Sequence, residues 1–344
     1  MASITIYELG YSFTQKSYRS KIIRGVPAPV AGFYTTQSVA EFQQKVATDS
    51  ADLILVDEAP LAPYAWPLLE TPCILMRQKV DYLFWRDVFL RTPFGKEKAK
   101  ALREWLWFRF YENRLWSRFT HGVVVSDIER GTYLKLNPKL ELAVIPNGVD
   151  ISHFRVTPLP INQDPIILLN GTMSYYPNVD AAVWFVEKMF PLILQILPQT
   201  KLLIVGQNPV EEVQRLARDA QIIVTGSVPD MRDYLNRSNL VVVPLRIGHG
   251  TRLKVLEAMA VGRPVVSTPI GAEGLDAQAG KHLLLADDPT QFAASVIEVL
   301  TKPRLAESIA SDARQFVESV YAWPIIGEQL NQYCQRVAKG TFKQ

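Results

Sequence analysis

The chain has 344 residues, enough for two domains that each bury a core. Apolar residues make up 48% and charged residues 21%, the balance of a folded globular protein and not of a disordered one. The net charge of +3 is too small for a dedicated nucleic-acid binder, and residues 1–160 hold 20 Lys/Arg against 16 Asp/Glu, so a basic surface is expected only in the first half.

In chain order, the first expected strands are residues 4–7, 53–56 and 73–76, with a helix near 38–48. Residues 83–118 differ in character, with nine Lys/Arg, four Asp/Glu and ten aromatics. They read as a pair of amphipathic helices that pack aromatics inward. The sharper reading is a peripheral membrane-surface face carried by Trp85, Trp105, Trp107 and Trp116 between basic residues. The two readings are compatible. A strand at 123–126 precedes a short helix at 127–135, which Ser126 and Asp127 cap. Residues 144–146 start a strand-and-turn segment, IPNGVD, whose Asn147-Gly148 pair marks a tight turn. Pro158 and Pro160 then stiffen the chain, which sets the expected boundary near residue 155.

The second half alternates regularly. Strands are expected at 166–170 (IILLN), 201–205 (KLLIV), 222–225 (IIVT), 240–244 (LVVVP), 264–268 (PVVST) and 283–286 (LLLA). Helical patterns lie near 180–196, 209–219, 229–237, 251–261 and 289–301. Continuous apolar strands alternating with helices imply a parallel sheet covered on both faces, a Rossmann-like doubly wound domain. Its ligand belongs beyond the carboxyl ends of the strands.

Residues 248–262, GHGTRLKVLEAMAVG, carry the most chemistry. Two glycines follow a strand, and a helix follows them. Free N–H groups and the positive end of the helix dipole favour an anion there, and Arg252 and Lys254 add charge. Glu257, one to two turns on, can accept hydrogen bonds from sugar hydroxyls. A nucleoside diphosphate suits this set; a helix start with a solvated Arg and Lys explains the segment alone equally well. Three further loops at the same sheet edge shift the balance: Asn170-Gly171-Thr172-Met173, Gly226-Ser227-Val228-Pro229-Asp230, and the 269–274 turn. Together they describe a nucleotide-sugar crevice. No strand is followed by G-x-G-x-x-G, which argues against a nicotinamide enzyme. Cys73 and Cys334 are too few for a disulfide framework or a metal cluster. No apolar run reaches the roughly 20 residues of a membrane span, and no signal-peptide pattern opens the chain. The expected localisation is cytoplasmic, with peripheral contact at the inner membrane face through 83–118.

LLNGTMSYYPNVDAAVWF, VTGSVPDMRDYL, GTRLKVLEAMAVGRPVVSTPIGAEGL and IPNGVD together resemble family 4 glycosyltransferases of the GT-B fold, in the bacterial branch associated with polysaccharide synthesis. The resemblance covers residues 120–325 well and 38–118 loosely. It implies two Rossmann-like domains facing a cleft, with domain 1–155 joined by a crossover helix at 322–344, and a donor domain at 156–321. It implies no metal and no cofactor, a UDP- or GDP-sugar as donor substrate, retention of configuration, and a glycan or lipid-linked acceptor. Gly171, Thr172, Met173, Gly226, Val228, His249, Gly250, Thr251, Arg252, Lys254 and Glu257 are then the donor-binding residues, with Arg252, Lys254 and Glu257 acting in catalysis.

The departures are specific. In the family's E-x7-E motif Glu257 matches the second carboxylate, while His249 stands at the first. An acceptor-side histidine corresponds to Gln78, whose amide hydrogen-bonds but is neither acid nor base near neutral pH. Residues 1–10 show no glycine-rich loop, so the first domain is expected to lack that opening element. The alternative reading is a catalytically silent GT-B protein that binds a nucleotide or a partner.

Overall fold

The computed structural model describes residues 21, 22, 24–49, 51–161, 164–248 and 250–340. The strand expected at 4–7, the opening segment 1–10 and His249 lie outside the described residues. The chain divides into two compact units, one of Met1–Ile145 with Gln329–Gln344, the other of Pro146–Glu328. The boundaries expected from sequence were 155/156 and 321/322. The first falls earlier because residues after the Asn147-Gly148 turn already pack on the second unit. Val149 donates its N–H to the Tyr321 carbonyl (2.8 Å), and Trp323 donates back to the Val149 carbonyl (3.2 Å). Val149 and Phe154 also join the second unit's core.

In the first unit, β1 (Ile54–Asp57), β2 (Cys73–Arg77), β3 (His121–Val124) and β4 (Glu141–Val144) form a parallel sheet in the order β1-β2-β3-β4. The register pairs Ile54 with Cys73, Ile74 with His121, and His121 with Glu141. The segment expected to begin a strand at Val144 is the end of one. Glu141 N–H bonds the Thr120 carbonyl and Ile145 N–H bonds the Val124 carbonyl, both at 2.9 Å.

The longer helices described in this unit are α1 (Thr36–Asp49), α2 (Asp81–Arg91), α3 (Lys96–Trp116) and α4 (Asp127–Leu136). Ser126 caps α4 by accepting the Ile128 N–H. Trp116 is fully buried, and Trp85 and Trp105 pack against the core beside it. Trp116 is thus a core residue, and Trp85 and Trp105 are partly buried against it, as the inward-packing reading expects.

The second unit contains β5 (Ile166–Asn170), β6 (Lys201–Val205), β7 (Ile222–Gly226), β8 (Leu240–Val243), β9 (Val265–Ser267) and β10 (Leu284–Leu285). Their order is β10-β9-β8-β5-β6-β7, and all pairings are parallel. Helices α5 (Tyr176–Lys188), α6 (Phe190–Ile196), α7 (Glu211–Leu216), α8 (Met231–Arg237), α9 (Leu253–Ala260), α10 (Pro289–Thr301) and α11 (Pro303–Val320) accompany the sheet. Ile167 and Leu169 belong to one buried cluster, Leu168 to the other, so the strand is apolar on both faces. The single helix expected over 180–196 is broken at Met189, because Pro191 opens the second piece. The last helix, α12 (Trp323–Ala338), supplies the first unit through its later turns. Tyr333 and Val337 are buried there, and the Tyr333 hydroxyl donates to the Glu141 carbonyl at 2.7 Å.

Candidate functional site

The second unit's sheet reverses direction between β5 and β8. Strands are added outward on one side through β6 and β7, on the other through β9 and β10. A crevice opens at the carboxyl ends of the two central strands at such a switch point. The Asn170-Gly171 turn leaves β5 there, and the loop entering α9 leaves β8 there.

The first turn is packed too tightly for any side chain. Gly171 (φ +150°) donates its N–H to the Val205 carbonyl at 3.0 Å. A Cβ at Gly171 would lie 2.7 Å from Asn178 Nδ2 and 2.8 Å from Lys254 Nζ. A Cβ at Gly206 would fall inside the Gly171 carbonyl. Thr172 offers its carbonyl to Asn178 Nδ2 at 3.0 Å. Met173 points into the core, and its backbone bonds Gln207 and Val210.

Across from this turn stands the start of α9. Arg252 occupies the N-cap position, and its guanidinium folds back over Gly248 (φ +146°), where a Cβ would collide with it. Gly250 (φ +83°) and Thr251 make the bend before it. The first N–H groups of α9 have no carbonyl within the helix to bond. Lys254 reaches from the first turn to the Asn170 carbonyl (2.5 Å) and to Asn178 Oδ1 (2.9 Å). One ammonium thus joins the end of β5, the first turn of α5 and the start of α9. Burial, reinforced by the Arg252 charge and opposed by Glu257, lowers the Lys254 pKa from 10.5 to about 7. Glu257 follows at i+3 on α9, partly buried. Burial raises its pKa, against the pull of Lys254 and His153.

The surrounding loops are pinned. Arg246, just after β8, makes a two-point pair with Asp180 on α5 (2.9 and 2.5 Å), its guanidinium 4.9 Å from the Trp184 ring. Beyond β9, Thr268 Oγ1 donates to the Leu245 carbonyl (2.5 Å) and accepts the Gly271 N–H (2.9 Å). Gly226 (φ +72°) ends β7, and its carbonyl accepts the Gly206 N–H at 3.2 Å. Val228, in the next loop, is partly buried against the core, which leaves its backbone as the group available to a ligand. Among the described residues, no group of three or more His, Cys, Asp and Glu could hold a metal ion.

The structure therefore brings Lys254 onto the turn of Gly171 and Thr172 through Asn170 and Asn178, while Arg252 packs over Gly248, Gly250 and Thr251 form the bend before α9, and Glu257 lies one turn beyond Lys254, where its charge acts on that ammonium. It gives Met173 a packing role. Asn178 and Gly206 were not singled out from sequence. An asparagine in the first helical turn after a glycine turn is a usable signal, since its amide can bridge loop and helix.

Gln78 belongs to the first unit, exposed just after β2. Its N–H donates to Glu58 Oε1 at 2.8 Å. Glu58 has a left-handed backbone (φ 69°) and pairs with Arg77. Arg77 is fully buried and also pairs with Asp81 (2.5 Å) and Glu112 (2.9 Å). Burial works against the Arg77 charge, but the three carboxylates prevail and hold its pKa above the ordinary range. Glu112 is raised by burial to about 7 despite Arg77, with Asp81 adding to the rise.

Residues 164–302 match the family described as glycosyl transferases group 1. The chain is 26% identical over 214 residues to the GDP-mannose-dependent monoacylated alpha-(1-6)-phosphatidylinositol monomannoside mannosyltransferase of Corynebacterium glutamicum, covering 56% of this chain and 55% of that one. It spans about half the length of the curated relatives it matches. Its structure is similar to that of sucrose-phosphate synthase from Thermosynechococcus elongatus (TM-score 0.70, 19% identity, 94% of this chain and 80% of that one). It is also similar to Anabaena HepE in complex with UDP-glucose (TM-score 0.66, 17% identity, 86% of this chain and 81% of that one). The fold is GT-B, with two Rossmann-like α/β domains.

Proposed function

We propose that this GT-B chain is a glycosyltransferase that moves a sugar from a nucleotide-sugar, such as a UDP- or GDP-sugar, to a glycan or lipid-linked acceptor. The observation that supports the reading is the reach of Lys254, in the first turn of α9, to the Gly171 turn at the sheet's switch point, with the neighbouring Arg252 guanidinium folded over Gly248. A nucleoside diphosphate is the ligand for which a helix N-terminus, two cations and side-chain-free backbone belong in one place. Names among the relatives agree, since one is a GDP-mannose-dependent transferase and one neighbour is in complex with UDP-glucose. These names do not favour the catalytically silent alternative.

In this reading, Arg252, Lys254 and the α9 amides stabilise the negative charge that develops on the leaving diphosphate. Preorganisation matters here. Lys254 is already oriented by Asn170 and Asn178, so little rearrangement accompanies bond breaking. Glu257 accepts the ribose hydroxyls. Retention follows if the departing phosphate oxygen takes the acceptor's proton on the face the leaving group vacates. No metal is needed in this scheme, because the cations and amides supply the charge. Gln78 is the acceptor-side candidate, through hydrogen bonding alone.

The test is release of nucleoside diphosphate from a panel of UDP-, GDP- and ADP-sugars, with and without glycan and lipid-linked acceptors. The anomeric configuration of the product is read by NMR. Turnover with retention, abolished by Lys254→Met, is expected. Tight donor binding with no hydrolysis or transfer across the panel would favour the silent alternative.

A further inference from the structure

The α2–α3 hairpin presents an unusual outer face. Its inner side is core, with Phe84, Phe108, Tyr111 and Leu115 buried. Leu102, Leu106 and Phe110 follow at i, i+4 and i+8 on the opposite side of α3, at 37%, 54% and 62% exposure. Leu90 (63%) and Phe94 (96%) extend the apolar surface to the hairpin's tip. An apolar stripe of this length on solvent-facing helix marks an interaction site.

Charge selects the occupant. Residues 83–118 contain nine Lys/Arg, and none of them is buried. Of the four acids, Glu104 and Glu112 are turned into the core, which leaves Asp87 and Glu97 at the surface. Arg86 pairs with Asp87 (2.9 Å), Lys100 with Glu97 (3.5 Å) and Arg103 with Glu104 (2.6 Å), so the nine cations leave a positive surplus of six over these paired acids. Lys98 lies 4.9 Å from the rings of both Phe89 and Phe94, so a cation sits beside the exposed tip phenylalanine. Lys96 and Arg103 border the stripe on one side and Arg109 on the other, by their positions around α3. A protein partner's apolar surface would match the stripe but not this predominantly basic rim.

We propose that this face docks on an anionic lipid surface, with Leu90, Phe94, Leu106 and Phe110 entering the headgroup layer and the flanking Lys/Arg pairing with lipid phosphates. Side chains of this kind lie in the interface plane without spanning it. In keeping with a surface contact, no helix among the described residues is long and apolar enough to cross a membrane. The proposal is independent of the donor-site reading and deepens only its acceptor side: a lipid-linked acceptor would be met at the surface the hairpin binds.

The experiment uses the full chain and phosphatidylcholine vesicles, with and without phosphatidylglycerol, at low and high salt. Co-sedimentation is expected with the anionic vesicles, and it should weaken with salt. The variant Lys96→Gln/Lys100→Gln/Arg109→Gln should lower the partition coefficient about a hundredfold, at about fivefold per cation. Phe94→Ser/Leu106→Ser/Phe110→Ser should also abolish binding. Both should leave the melting temperature and nucleotide binding unchanged, because every substituted side chain is at the surface. Equal recovery with neutral and anionic vesicles would overturn the proposal. So would a concentration-dependent dimer in ultracentrifugation that the serine variant dissolves while vesicles are ignored, since the stripe would then be a subunit contact. If a triple variant fails to fold, Leu106→Ser and Lys96→Gln alone decide by the same two readouts.

Discussion

Lys254 should make nucleotide binding depend on pH in a window where the nucleotide's phosphates are already ionised. Among the described residues, its ammonium donates to a carbonyl and a side-chain amide, and burial, despite Glu257, lowers its pKa to about 7. A diphosphate against Nζ favours the charged form and raises the group back toward its ordinary 10.5. Between those values the free protein holds fewer protons than the complex, so affinity must fall as pH rises. With a free pKa of about 7, affinity at pH 9 is about fiftyfold below that at pH 7, and about 0.9 proton is taken up on binding at pH 8. The second phosphate ionisation, near about pH 6, is complete throughout this range. Titration calorimetry of ADP, and of UDP and GDP corrected for ionisation of uracil N3–H and guanine N1–H near the top of the range, in buffers of different ionisation enthalpy measures both quantities. Lys254→Arg should bind with a flat profile, because a guanidinium keeps its proton. Affinity constant within twofold from pH 7 to 9, with no buffer dependence, would refute the reasoning.

Asn178→Leu should destabilise the second unit by about 1–3 kcal/mol, because it strips Lys254 and the Thr172 carbonyl of a buried partner, and urea unfolding reads the loss. Glu112 binds a proton more readily in the folded chain than unfolded, its pKa being about 7 against 4.5. Its contribution to stability is therefore largest below pH 4.5 and is lost as pH rises through about 7. Glu112→Gln should be more stable relative to wild type at pH 7.5 than at pH 5, measured by paired urea curves. Glu257→Ala should weaken ribonucleotides at least tenfold and 2′-deoxyribonucleotides less, narrowing the difference between them, read in competition binding.

Much of this fold is written in hydrophobic periodicity. The runs at 166–170 and 201–205 were located to the residue, because fully buried parallel strands are uninterrupted apolar segments flanked by polar ones. The helix at 303–320 carries little sequence signal. Its buried stripe is Ala306, Ile309, Ala310, Ala313 and Val317, and alanines give a weak apolar signal although they pack well. The tryptophans of 83–118 are ambiguous for another reason. Aromatic content marks amphipathic helices, but only the folded pairing of α2 with α3 decides that Trp116 faces the core and Phe110 the solvent.

At the site, the anion-binding segment was legible because glycines, a helix start and two cations are contiguous in sequence. Asn178 and Gly206 were not, because their roles arise from backbone approaches between β5, β6 and α5 that no local pattern encodes. The Arg77 network was hidden for the same reason, its carboxylates being drawn from residues 58, 81 and 112.

Calorimetric titration of the intact chain with UDP, GDP and ADP, and with the matching nucleosides, tests the donor site most directly. At least one diphosphate should bind well below millimolar concentration, and far more tightly than its nucleoside. Arg252→Ala should lower that affinity at least tenfold, the equivalent of losing one charge-assisted hydrogen bond of about 1.5–3 kcal/mol, and leave nucleoside binding unchanged. A folded protein that binds no diphosphate at millimolar concentration would contradict the assignment of the α9 start and the Gly171 turn as a nucleotide-sugar site.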